Sequence, residues 1–593
     1  DDTITGGAGA DTIIFGTNLT SADTIDGGAG TDELQFTDGN GATSDLNNVT
    51  NVETVTLGNA ATSVTTVNNL VASGKTLTVN AAVLSGANSL TWDGSAETDG
   101  SFNITGSDQD DVITGGVGAD TVVAGSGDDT ITGGAGTDTF VLDRNLTSSD
   151  TIDGGSNSDV LQFTDSGLET SDLDGVTNVE TVTLGDAATS VTTVDTLVSS
   201  EATLRVNAAA LTGSNSLNLD GSAETDGAFN ITGSNQNDTI IGGAGSDTVM
   251  AGAGDDTIDG NAGEDIFVLG ANLSSADTID GGAGTDELRF TDSGLATSDL
   301  DGVTNVETVT LGDAATRVTT VDNLVGNGGT LTVTAAALTG ANSLTWDGSA
   351  ETDGSFNITG SGQDDVITVG AGSDTVTAGA GDDTLNFTSG ARLGGDLSID
   401  GGDGTDIIQF TGNSVTDVDD ADFANVSNIE TVTFSDGDNT ASFGSNAATA
   451  SGADALNINS GSGNDTIDVS ALGKSAIITS GSGDDQVTGG AGGDTFVLGT
   501  NLTSADIIDG GAGSDELRFT DSNNDTDDLD GVTNIETVTL GDAATNIKTA
   551  DTLLTSGQTL TVTAAALGGS NSLNWDGSSE TDGAFNFTGS DQA

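Results

Sequence analysis

Aspartates that recur every nine residues carry the chemistry of this sequence. In three consecutive nonapeptides from Gly115, G-G-V-G-A-D-T-V-V, A-G-S-G-D-D-T-I-T and G-G-A-G-T-D-T-F-V, the sixth residue is Asp120, Asp129 and Asp138, and the preceding G-S-D-Q-D-D-V-I-T adds Asp111. The same register places Asp238, Asp247, Asp256 and Asp265, then Asp365, Asp374 and Asp383, then Asp485 and Asp494, with Asp11 nine after Asp2 and Asp465 as an outlying copy. A second pair follows each block twelve and then nine residues on: Asp23 and Asp32, Asp150 and Asp159, Asp277 and Asp286, Asp506 and Asp515. Position 397 is Leu, so Asp406 is expected to lack this partner. Carboxylates stacked in register would repel one another unless a cation lies between them. Ca²⁺ takes six to eight oxygens at about 2.3–2.6 Å, from carboxylates and backbone carbonyls, and tolerates irregular geometry; Mg²⁺ demands a rigid octahedron and keeps its water.

The elements that must position these acids are short. The first positions of each nonapeptide are Gly-rich, and Gly permits φ > 0 and close backbone approach. The last three, such as T-V-V or T-F-V, have room for one brief strand with its apolar side chain turned inward. Turns of this kind stack at about 4.8 Å, the strand spacing of a sheet, which sets each Asp above its equivalent. The expected architecture is all-β: a right-handed parallel β-solenoid with cations between stacked turns.

Composition agrees with a need for cations. Asp and Glu total 93 against 9 Lys and Arg, a net charge of −84. Such a chain repels itself, yet 34% of its residues are hydrophobic, in short regular runs that fit strands. About 20 Ca²⁺ would cancel about 40 of those charges by valence. There is no Cys, so no disulfide framework, and no His, the commonest general base and transition-metal ligand. The absence of Pro suits strands that must all donate N–H bonds. Nucleic acid is excluded as a partner because no basic patch can form. No apolar run approaches the roughly 20 residues of a membrane span.

A longer repeat organises the chain. The phrase V-T-N-V-E-T-V-T-L and its relatives place a Glu at 53, 180, 307, 430 and 536, in steps of 127, 127, 123 and 106 residues. Five units follow: 1–109, 110–236, 237–363, 364–483 and 484–593. The first is 18 residues shorter than the second, or two nonapeptides. One turn of the solenoid is therefore expected to contain two nonapeptides.

G-G-A-G-A-D-T-I-I at 6–14, G-G-A-G-S-D-T-V-M at 242–250 and G-G-A-G-G-D-T-F-V at 489–497 resemble the RTX family, the hemolysin-type calcium-binding nonapeptides of secreted bacterial proteins, with pattern G-G-x-G-x-D-x-U-x. The resemblance implies a parallel β-roll with Ca²⁺ between turns, type I secretion, and folding on meeting extracellular calcium. The remaining sequence, including N-V-E-T-V-T-L, looks like the spacers of RTX-type bacterial S-layer and giant surface proteins.

Each unit has roughly 75 residues of spacer. L-Q-F-T-D, N-V-E-T-V-T-L, T-L-T-V-N-A-A, S-L-T-W-D and S-F-N-I-T alternate apolar with polar residues, a strand pattern. The solenoid is expected to continue through them with wider turns, one small β-sandwich per unit being the alternative. Trp92, Trp346 and Trp575 hold equivalent places, where unit two has Leu219. Leu can replace a packing Trp but not a sugar platform, so these indoles read as core. D-G-S-A-E-T-D-G, with Asp93, Glu97 and Asp99, is either a further cation site or an acidic solvated loop. Glu53 and its equivalents are either ligands or ladder caps.

Every acidic cluster belongs to a repeat, so the sequence offers no dedicated catalytic constellation and reads as a non-enzyme. The expected role is an extracellular structural protein at the cell surface or in a secreted matrix, forming a surface layer, fibre or filament; the alternative is the stalk of an adhesin. Self-association, end to end or lateral, is the expected partnership. N-x-T triplets such as Asn18-Leu19-Thr20 are compatible with glycosylation, and a cell-surface glycan is a further candidate partner. The chain opens mid-motif at Asp1-Asp2-Thr3-Ile4-Thr5, and its last residues repeat the end of unit one. A piece of a longer array, or copies stacked end to end, is therefore expected.

Overall fold

The computed structural model describes all residues except 39, 40, 166, 168, 293, 295, 522–525, 582 and 590–593; the last four of the C-terminal residues that echo unit one lie outside the described set. By internal contacts the chain divides into two compact bodies, Asp1–Phe290 with Gly302–Val306, and Thr291–Asp301 with Glu307–Ala593. Each is a parallel β-solenoid.

In the first body, Thr121–Val123 pairs in parallel with Ser101–Thr105 on one side and Thr139–Asp143 on the other. The next nonapeptide strand, Thr130–Ala135, pairs instead with Val112–Thr114 and Thr151–Ser156. Consecutive nonapeptides thus alternate between two sheets, and a residue meets its equivalent 18 positions on: Val122 against Phe140, Ile113 against Ile131. Side chains alternate along a strand, so only the central apolar residue of T-V-V or T-I-T points inward. Ile104, Val122, Phe140 and Leu161 all have at most 1% of their surface exposed. Burial of each such side chain contributes roughly 1.5–3 kcal/mol, and the pile of them forms the core.

The spacers continue the same solenoid and form no sandwich. Leu34 pairs with Val55, Val55 with Val79, and Val79 with Ile104, which leads directly into the nonapeptide ladder. Trp92 sits in register between Val64 and Ile113 and packs edge-on against Phe102, with ring centroids 5.5 Å apart. Trp92 and Trp346 are fully buried, as is Leu219, so this position belongs to the core.

The second body repeats this plan, with one departure in the fourth sequence unit. Phe387, Phe410 and Phe434 stack inward on successive turns, with centroids 6.4 and 5.1 Å apart. Around them lie short helices Gly390–Leu393 and Ser445–Ala450 and a 3₁₀ turn, Asp420–Phe423. The Asp420 carboxylate accepts N–H bonds from Gly444, Asn446 and Ala447 at 2.8, 3.0 and 3.0 Å. It satisfies the donors that a helix leaves bare at its first turn. Asp420 is thus occupied with capping.

Candidate metal centre

The sixth-position aspartates form ladders. The backbone N–H of each rung donates to Oδ1 of the rung one turn later. On one face of the first body the bonds run from Leu90 to Asp111, then to Asp129 and Asp150, at 2.7, 2.8 and 2.8 Å. On the other they run from Phe102 to Asp120, Asp138 and Asp159, each at 2.7 or 2.8 Å. Equivalent ladders join Asp2 to Asp23, Asp11 to Asp32, Leu217 to Asp238, Asp256 and Asp277, and Phe229 to Asp247, Asp265 and Asp286. In the second body they join Leu344 to Asp365, Asp383 and Asp406; Asn439 to Asp465, Asp485 and Asp506; and Ala476 to Asp494 and Asp515. Asp374 accepts from Phe356 and donates to Asp396 at 3.0 Å.

Every aspartate singled out by spacing is therefore a rung, and all but Asp11 are buried. The structure corrects one expectation. Leu397 leaves Asp406 without a partner at the common spacing, but the partner rung exists one residue earlier, at Asp396. The Gly390–Leu393 helix lengthens that turn to a step of 22 residues and shifts the register. The regular spacing of the other units hides it. The glutamates of N-V-E-T close the ladders: Glu53, Glu180, Glu430 and Glu536 accept from the N–H of Asp32, Asp159, Asp406 and Asp515 at 2.7–2.9 Å. Asn439 is a further rung that a nine-residue count misses, accepting from Val415 at 2.9 Å.

The second carboxylate oxygen sorts the rungs into two kinds. At Asp111, Asp120, Asp238, Asp247, Asp365 and Asp494, Oδ2 accepts the N–H of the residue four before it, at 2.6–2.8 Å. At Asp23, Asp150, Asp277 and Asp506 it accepts from the Thr or Ser three before, at 2.7–2.8 Å. These ten are capped. At Asp11, Asp32, Asp129, Asp138, Asp159, Asp265, Asp383, Asp396, Asp406 and Asp515, Oδ2 is out of solvent with no hydrogen-bond donor. These ten are open. At Asp465 and Asp485 the hydroxyls of Ser460 and Ser480 face the carboxylate.

Backbone conformation makes the difference. Beside most open rungs the second residue of the nonapeptide is a Gly with positive φ, such as Gly125 at 104° and Gly134 at 105°, and its N–H does not reach the carboxylate. Position 261 is Asn at 69° and serves Asp265 in the same way. Gly134 sits directly over the Gly116 carbonyl, and Gly155 over that of Gly134, leaving no room for a Cβ. A Cβ on Gly133 would collide with both Asp138 Oδ2 and the Gly154 carbonyl oxygen. A carboxylate and a carbonyl thus converge on the gap that Gly leaves.

An open buried carboxylate is costly unless it is paired. Burial, with repulsion from neighbouring rungs, pushes Asp129, Asp265 and Asp383 up to about 7. The same causes push Asp138, Asp159, Asp406 and Asp515 up to about 6. Burial also raises the capped Asp111, Asp120, Asp365 and Asp247, the last to about 6, whereas Asp23 is held down to about 2, chiefly by the Asp2 N–H. Among the described residues no three carboxylates converge on one point, so an ion here must complete its shell with backbone carbonyls. All donors are oxygen, and their positions are set by flexible Gly turns. That set fits Ca²⁺.

Glu97, Glu224 and Glu351 of D-G-S-A-E-T-D-G are fully buried. Each Oε1 accepts the N–H of the Gly three residues on, at 2.8–3.0 Å. They pin their loops, so these segments are not simply solvated acidic loops.

A parallel solenoid whose turns are joined through buried, partly unsatisfied carboxylates defines a class: a repeat protein with cations between its turns. The family description RTX calcium-binding nonapeptide repeat (4 copies) matches residues 1–17, 19–41, 104–140, 231–271, 273–290, 357–392, 477–500 and 503–526. Over those residues the chain carries RTX calcium-binding nonapeptide repeats, and calcium is the cation such repeats bind. No curated protein matches it. Among the described residues, no helix is long and apolar enough to cross a membrane.

Proposed function

We propose that this chain is a calcium-stabilised, non-catalytic structural element of an extracellular surface layer, fibre or matrix, and that Ca²⁺ binds at the open rungs. The carrying observation is the set of buried rung Oδ2 atoms without a donor. They face backbone carbonyls in a molecule of net charge −84. The capped rungs already have their hydrogen bonds and frame the ions. Because the sites do not exist in an unfolded chain, binding is linked to folding: scarce calcium leaves the chain unfolded, and abundant calcium outside the cell folds it. The recurrence of the ladder acids turn after turn supports a scaffold over an enzyme. Adding millimolar Ca²⁺ to the chelated chain, with circular dichroism and electron microscopy as readouts, tests the reading. Gain of strand signal with sheets or fibres is expected. Gain of strand signal with isolated particles only would favour an adhesin stalk, and no response would overturn the calcium assignment.

A further inference from the structure

One ladder of the second body runs through Asn439, Asp465, Asp485 and Asp506, each N–H donating to Oδ1 of the next rung at 2.8–3.0 Å. The turns that bear the first three share one plan. Gly461 and Gly463 stand over the carbonyls of Ser435 and Gly437, and Gly481 and Gly483 over those of Gly461 and Gly463, with no room for a Cβ. The first rung, however, is an amide. Asn439 is 1% exposed, and its Oδ1 accepts the Val415 N–H at 2.9 Å, as a rung carboxylate would. An N–H needs an acceptor, so this bond fixes which end of the amide is nitrogen. Nδ2 therefore stands where the second carboxylate oxygen of an Asp would be. Four oxygens surround it: the carbonyls of Ser435 and Gly437 at 3.0 and 2.8 Å from its own turn, and the Ser460 carbonyl and Asp465 Oδ1 at 2.9 and 3.1 Å from the next. An NH₂ group has two hydrogens, fewer than the acceptors around it. The cradle is thus set by the stacked turns and not by the needs of the amide.

We propose that Asn439 replaces a carboxylate and its calcium ion together, so that the joint between its turn and the turn of Asp465 closes without metal. An Asp at this position would set Oδ2 among four oxygens with no hydrogen between them, and a buried carboxylate so placed is costly unless it is paired. That is the condition of the open rungs. The amide turns the same contacts into hydrogen bonds, at 2.8–3.1 Å where calcium ligands would close to about 2.3–2.6 Å. The next two rungs provide the contrast. Asp465 and Asp485 keep the carboxylate, and the Oδ2 of each is buried with no donor. An ion-free joint is therefore followed directly by joints that call for ions, and its closure does not depend on calcium concentration.

The inference rests on calcium binding at the open rungs as proposed above, and the test separates the two. The variant N439D, made in the full chain, keeps side-chain shape and exchanges the amide for a carboxylate. Anomalous scattering from crystals of parent and variant grown in millimolar Ca²⁺ locates the ions, and atomic emission after removal of free ion counts them. No peak beside Asn439 in the parent, a new peak at that joint in N439D and a gain of one ion per chain are expected. A peak beside Asn439 in the parent, or an unchanged count in folded N439D, overturns the substitution, while ions at the other rungs leave the calcium reading intact. Should N439D fail to fold, the parent crystals decide alone: ions at the Asp465–Asp485 joint with none beside Asn439 support the proposal, and an ion at both joints refutes it. No calcium at any rung refutes both readings.

Discussion

Asp120 and Asp138 occupy the same position of the same motif, one turn apart on one ladder, and differ by a single hydrogen bond. Oδ2 of Asp120 accepts the Gly116 N–H at 2.7 Å, whereas Oδ2 of Asp138 has no donor. What lies beneath each turn explains this. Gly116 rests on the spacer loop, where a Cβ would meet Glu97 at 3.0–3.3 Å; Gly134 rests on the Gly116 carbonyl and takes φ of 105°. At this pair, the turn stacked on another Gly turn leaves its carboxylate open, and the turn resting on a spacer loop caps it. The motif supplies the carboxylate, and the neighbour decides whether it is open.

The largest effect that bears on this difference is loss of calcium itself. Chelation should abolish most of the strand signal, because the open carboxylates then face one another uncompensated; retained strand structure would show that capped and open rungs do not differ. Next, Gly134→Ala introduces a Cβ against the Gly116 carbonyl at a left-handed φ and should cost about 3 kcal/mol or more. Gly116→Ala should cost about 1 kcal/mol. Denaturant midpoints at saturating calcium measure both. At the rungs, Asp138→Asn should remove one ion per chain, and Asp120→Asn none; ion counting breaks the distinction if the two behave alike.

A pH titration sharpens it further. The folded-state values of about 7 for Asp129, Asp265 and Asp383 lie above the ordinary carboxylate range. The folded, calcium-free chain therefore binds protons more tightly than the unfolded one. Its stability should fall as pH rises from about 4 to about 7 and level off above that. Calcium must displace those protons, so calorimetry in buffers of different ionisation enthalpy should show proton release at pH 6 that fades by pH 8.5. The smallest effect is expected at a capped rung. Thr20→Ala removes the hydroxyl bond to Asp23 but not the backbone one, costing about 0.5–1 kcal/mol with the ion count unchanged.

The repeat period makes the ladders legible in the amino-acid sequence. Nine-residue spacing with an inward apolar residue fixes both the two-sheet alternation and the stacking of Asp120 on Asp138. The split between capped and open rungs is only partly visible there. The Thr or Ser three residues before Asp23 or Asp277 is a local capping pattern that sequence displays. Gly116 and Gly134, however, are the same residue in the same motif, and only the turn below tells them apart. Asp396 escapes because a four-residue helix displaces it from the common spacing.

The rung hydrogen bonds all run along the direction in which turns stack, each from one turn to the next. A load applied along that direction would meet the turns in series and detach them one at a time, instead of shearing many at once. Each detached turn would release the 18 to 26 residues between successive rungs, about 60–95 Å of extended chain. Stretched in calcium, the protein should therefore lengthen in small increments, one turn at a time. It would behave as a shock absorber that dissipates work turn by turn and re-forms when the tension is relieved.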